Sequence, residues 1–132
     1  MSYSLVFSRT PIPSDDDEAF SWVRKQLDVY RSDSRPPHPQ LKLLHDVLTD
    51  KYPCLCDLPD EHIAEAVWCS GPLIDRFSHN LAVVSVAFTR LEEVMPFIVA
   101  AALRLGCAVF DLQGKMIYRP GGMFDVRQEV AV

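Results

Sequence analysis

The sequence predicts an α+β domain whose mostly antiparallel sheet carries helices on one face. Stretches with a period of two stand at the beginning, middle and end of the chain, and stretches with apolar residues at helical spacing lie between them. The two kinds do not alternate regularly, which leaves a doubly wound nucleotide-binding fold unsupported. The expected order is β-α-α-β-β-α-β-β, with about five strands. A chain of 132 residues fits a single domain spanning 1–132, large enough to bury roughly two-thirds of its unfolded surface without disulfide or metal staples.

Tyr3, Leu5 and Phe7 alternate with Ser2, Ser4, Val6 and Ser8, so a first strand with an aromatic inner face should end near Arg9. Pro11 and Pro13 make a stiff turn. Ser14 then supplies a capping side chain, and Asp15, Asp16, Asp17 and Glu18 place carboxylates at the positive end of a helix. That helix carries Phe20, Val23, Leu27 and Tyr30 on one side. Arg31 to Pro39 is a surface connection rich in proline. Leu41, Leu44 and Leu48 define a second helix, which must stop by Tyr52 because Pro53 biases its predecessor away from helical angles. A short helical turn is expected over Pro59 to Ala66.

Leu73 to Phe77 and Leu81 to Phe88 suggest two strands joined by a turn at Ser78-His79-Asn80, a hairpin near the middle of the sheet. Thr89 to Glu92 has the form of a capping box. It opens a helix with Leu91, Met95, Ile98, Ala102 and Leu105 in register, which Pro96 should kink or delay and Gly106 should end. Cys107 to Phe110 and Lys115 to Tyr118 then form a hairpin around Asp111 to Gly114. Residues from about 120 to 132 read as a loosely held C-terminal extension.

Charge narrows the function classes. The net charge is −5, and all of it falls in the first 66 residues, which hold seven basic and twelve acidic side chains. Without a Lys/Arg cluster the chain lacks the footprint that phosphate binding demands, so no nucleic-acid partner is expected. An acidic surface suits a basic protein partner. The opening residues lack a basic, apolar leader, and the longest apolar run, Val94 to Leu103, is about half of a bilayer span and contains Pro96. No membrane association is expected, and the location is expected to be cytoplasmic.

Chemistry is harder to find. Cys54, Cys56, Cys69 and Cys107 read as reduced thiols in a cytosolic setting. The Cys54-Leu55-Cys56 spacing is too tight for a structural zinc pair, although His38, His45, His62 and Cys69 are available in sequence. No thiol or imidazole carries a nucleophile signature, and neither a phosphate loop nor a serine-hydrolase elbow is present. No catalytic residue, metal or cofactor is therefore expected. Trp68, beside Ser70-Gly71-Pro72, must either cap the core or stand as an interface anchor, and Trp22 is ambiguous in the same way.

Trp68-Cys69-Ser70-Gly71-Pro72-Leu73-Ile74, the strand Val83 to Phe88, Glu92-Glu93-Val94-Met95-Pro96 and the stretch Leu105 to Gln113 occur in that order. Together with the opening Met-Ser-Tyr-Ser-Leu-Val-Phe and Lys51-Tyr52-Pro53, they resemble a group of small bacterial immunity proteins associated with polymorphic and contact-dependent toxin systems. Leu112 stands where the group usually has proline. The resemblance implies an antidote that binds a cognate toxin and occludes its active site, with no catalytic residue to carry over. The partner surface expected here comprises Asp15, Asp16, Asp17, Asp57, Asp60 and Glu61 for steering, with Trp22 or Trp68 giving central affinity. A small-ligand or regulatory domain with a pocket between sheet and helices is the alternative. A homodimer through the sheet's edge strands stays open.

Overall fold

The computed structural model describes residues 2–54, 57–69 and 71–120. Cys56, Ser70 and the extension beyond Pro120 lie outside the described residues. Four strands form one antiparallel sheet: β1 (Ser2–Arg9), β2 (Leu81–Ala87), β3 (Cys107–Asp111) and β4 (Met116–Tyr118). Their spatial order is β2-β1-β3-β4. Among the described residues three α-helices accompany them: α1 (Asp16–Tyr30), α2 (Pro39–Lys51) and α3 (Leu91–Arg104).

The α+β class and the antiparallel pairing are as the sequence suggests, but the expected fifth strand is absent among the described residues. Leu73–Arg76 is a short 3-10 helix in which Pro72 accepts from the Asp75 N–H at 3.2 Å and Ile74 from the Phe77 N–H at 3.0 Å. Leu73 and Phe77 are buried while Asp75 and Arg76 are exposed side by side. Buried positions four apart with two exposed neighbours between them fit a helical turn and defeat a period of two. The expected order thereby loses one strand. β2 is also an edge strand, so no hairpin sits in the middle of the sheet.

That edge is closed by an irregular segment. The Cys69 N–H donates to Ser85 O at 2.9 Å, the Ala87 N–H donates to Val67 O at 2.7 Å, and Trp68 bridges to Val86. The opposite edge, β4, is only three residues long. Short or covered edges discourage strand-to-strand association.

Helices cover both faces, where the pattern suggested one. Leu5, Phe7, Val84, Val86, Cys107 and Val109 face α2 and α3, packing with Leu41, Leu44, Leu48, Val94 and Ile98. Val6, Leu81, Ala108 and Phe110 face α1, packing with Ala19 and Val23. The reason is visible in β3, whose five residues Cys-Ala-Val-Phe-Asp are all buried, as befits a strand covered on two sides. Val6, an outward-facing residue in the sequence pattern, is 1% exposed.

Helix ends also differ in detail. Asp15, not Ser14, caps α1, its Oδ2 accepting the Glu18 N–H at 3.0 Å. The expected Thr89–Glu92 capping box does not form: Phe88–Arg90 make a 3-10 turn leading into α3, and the Arg90 guanidinium instead grips Glu93 at 2.8 Å. Pro96 lies inside α3 on its solvent side. Gly106 ends the helix at a φ of +78°, and the Gln40 Nε2 donates to the adjoining Leu105 carbonyl at 2.6 Å. A Cβ at Gly106 would meet only the movable end of the Gln40 side chain, at 2.9 Å, so glycine is needed here for its conformation.

Candidate functional site

α3 carries more apolar surface than one core can absorb. Val94, Ile98, Ala101 and Ala102 are buried against the sheet. Leu91, Met95, Val99 and Leu103 repeat every fourth residue and form a second stripe beside them. This stripe walls a groove of about 770 Å³, completed by Phe88, Pro96, Ala100 and Glu92 from the helical side and by Tyr3, Asp111 and Tyr118 from the sheet. Phe88, at the rim, is 55% exposed.

The polar floor is built by the chain's two distant ends. Tyr3, near the start of β1, donates its hydroxyl to Asp111 Oδ1 at 2.6 Å, and the Gly114 N–H donates to the same oxygen at 2.8 Å. Asp111 closes β3 and its carboxylate folds back over the turn to β4, leaving the residue 7% exposed. The hydrogen bond to Asp111, assisted by burial, pushes the Tyr3 phenol up to about 12. Burial and the same carboxylate raise Tyr118. Both phenols therefore stay protonated at neutral pH.

The residues expected to form the partner surface do not converge. Asp15 caps α1, Asp16 pairs with Arg119 at 2.6 Å, and Asp17 is exposed beside them, all on the α1 side of the sheet. Asp57, Asp60 and Glu61 are exposed on the other side. They belong to the segment whose Glu65 carbonyl accepts from Arg90 beside α3. The sheet separates the two acidic groups, so they make no single patch. Of its two readings Trp68 takes the core one: it is 1% exposed, and its Nε1–H donates to Tyr52 O at 2.7 Å. An indole whose polar atom is satisfied by backbone belongs to the core. Trp22 is half-buried over Phe110 with ring centroids 6.4 Å apart, and borders a smaller cavity of about 350 Å³ with Arg9, Gln26 and Asn80.

The described thiols differ in their surroundings. Cys107 is fully buried, and burial pushes its thiol up to about 11, away from the thiolate a nucleophile requires. Cys54 is buried with its Sγ accepting the Leu73 N–H at 3.2 Å, while Cys69 is exposed. Among the described residues no three His, Cys, Asp or Glu side chains gather as a metal site would, and no helix is long and apolar enough to cross a membrane.

A pH prediction follows from the raised groups. Cys107 and Tyr3 titrate higher in the fold than in the unfolded chain, so their contribution to stability is complete below their ordinary values of 9.0 and 10.0. It is lost as pH climbs through about 11 and then about 12. Urea unfolding midpoints should hold steady around neutrality and fall at alkaline pH. Over the neutral range iodoacetamide should modify Cys69 and leave Cys107 untouched until the protein unfolds. Rapid labelling of Cys107 in the folded chain would contradict its assignment as a buried, un-ionised thiol.

No family model matches this chain, and no curated protein or solved structure matches it either. The groove was not legible as a site in the sequence, since Tyr3 and Asp111 are 108 residues apart. The available signal was the surplus of apolar residues on α3, which one core-facing stripe does not use up.

Proposed function

We propose that this chain is an inhibitory binding protein, an antidote that seats a toxic protein partner on the groove between α3 and the sheet and occludes that partner's active site. The observation that carries this reading is the half-buried apolar stripe of α3, continuous with the exposed Phe88 and bordering the polar pair Tyr3 and Asp111. An apolar centre with a polar component is the anatomy of a protein interface. The net charge of −5 supports electrostatic steering of a basic partner, to which Asp15, Asp17, Asp57, Asp60 and Glu61 contribute from both sides of the molecule. The resemblance in sequence to immunity proteins supports the same reading, and its setting is the cytoplasm of a bacterium that makes the toxin.

The test is protection. Tagged chain is used to capture partners from its source organism, and the isolated C-terminal domain of the captured protein is expressed with and without the chain. Wild type is expected to rescue growth, and Phe88→Glu, which places a charge at the exposed rim, is expected to lose rescue while keeping its circular dichroism spectrum. Equal rescue by Phe88→Glu would move the interface away from the groove. A captured partner that harms no cell would end the antidote reading.

A second reading is favoured by size: about 770 Å³ lies within the roughly 300–1,000 Å³ range of small-molecule sites. Under that reading a small ligand occupies the groove, and native mass spectrometry of the freshly purified chain should show its added mass.

A further inference from the structure

We infer that the groove recognises a long basic side chain projecting from an apolar segment of the protein partner, with Asp111 as its counter-ion. The inference rests on the binding reading above and names what that surface selects. Among the described residues no Lys, Arg or His lines the groove, whereas Asp111 and Glu92 do. The Asp111 carboxylate is the unusual member. It is 7% exposed, it belongs to no salt bridge among the described residues, and both of its hydrogen bonds end on Oδ1. Oδ2 accepts no hydrogen bond among the described residues, and it is not one of their buried unsatisfied atoms. A carboxylate anchored through one oxygen, with the other free of protein donors among the described residues, offers an incoming ammonium or guanidinium a charge-assisted hydrogen bond.

The walls fit the rest of such a side chain. The rings of Tyr3 and Phe88 lie 6.3 Å apart and tilted by 43°, with Tyr118 also lining the groove. Aromatic faces attract cations that have shed part of their water. Leu91, Met95, Val99 and Leu103 offer an aliphatic surface along which a lysine or arginine stem can lie while its head reaches the floor. A shorter neutral polar side chain such as glutamine would keep part of the stem contact and lose the charge pairing. Because Oδ1 already accepts twice, the cation meets chiefly Oδ2, a one-point contact that either basic head can make.

The experiment uses the full chain, 15N-labelled, titrated with end-blocked pentapeptides Leu-Ala-Lys-Ala-Leu, Leu-Ala-Arg-Ala-Leu and Leu-Ala-Gln-Ala-Leu. The basic peptides are expected to shift the amides of Asp111, Gly114 and Tyr118 and to bind about tenfold more tightly than the Gln peptide. Asp111→Asn keeps an Oδ1 acceptor for Tyr3 and Gly114 and should bring that ratio close to one. Phe88→Leu, which keeps apolar area and removes the ring, should narrow it with the fold undisturbed. Equal affinity for the three peptides, shifts confined to residues outside the groove, or no saturable shift would overturn the inference. Protection of cells with no basic preference would sink this inference alone, and basic preference without protection would sink the antidote reading alone.

Discussion

Replacing Trp68 by alanine is expected to lower the unfolding free energy by about 3–5 kcal/mol, the range for truncating a fully buried aromatic. Against a total of about 5–15 kcal/mol for a domain of this kind, that is a large share. Two effects coincide at this position. The indole is 1% exposed within the core shared by α2, α3 and the sheet, so its removal leaves a cavity. Its N–H is also the partner of the Tyr52 carbonyl at the end of α2, and its backbone bridges to Val86 on the outer edge of β2. Truncation therefore loosens the segment that closes the sheet edge. Trp68→Phe should cost less, about 1–3 kcal/mol, because most of the ring volume remains and the chief loss is the hydrogen bond. Urea titration followed by circular dichroism measures both. A Trp68→Ala protein within about 1 kcal/mol of wild type, but unable to hold its partner, would restore Trp68 as an interface anchor and remove it from the core.

The elements that the sequence revealed are those whose causes are local. Tyr3, Leu5 and Phe7 mark β1 by alternation, Leu41, Leu44 and Leu48 mark α2 by spacing, and Gly106 stops α3 where a positive φ is required. What it concealed depended on contacts between distant residues. Leu73 and Ile74 are as suited to a strand as to a turn, and the segment's helical hydrogen bonds are chosen by burying Leu73 and Phe77 together. Asp15, Asp16 and Asp17 form a cluster with Asp57, Asp60 and Glu61 only in composition, since the sheet stands between them. By sequence pattern Asp111 is one residue of a turn. Its burial, and its meeting with Tyr3, arise from β1 lying beside β3, a pairing that no local pattern announces. The groove was hidden for the same reason: a helix apolar on two sides reads as one that is simply well buried.

Phe110→Ala is expected to be about as damaging, again about 3–5 kcal/mol, and it tests the layer that the sequence missed. Phe110 is fully buried on the α1 face of β3, with ring centroids 6.1 Å from Phe20 and 6.4 Å from Trp22, both on α1. If α1 were a peripheral attachment to a sheet covered on one face, truncating Phe110 would release that helix and leave the rest of the fold almost as stable. If α1 closes a second core, the whole domain should weaken together. The two tryptophans decide between these outcomes because each stands in a different core: Trp22 reports the α1 layer in a Trp68→Phe background, and Trp68 reports the other layer in a Trp22→Phe background. In each background the tryptophan fluorescence and circular dichroism transitions should coincide, and Phe110→Ala should shift them together, as expected of one cooperative unit. A Trp22 transition that moves alone would make α1 an independently unfolding unit. The sheet would then derive its stability from α2 and α3, and the recognition proposed for the α3 groove would not depend on the opposite layer.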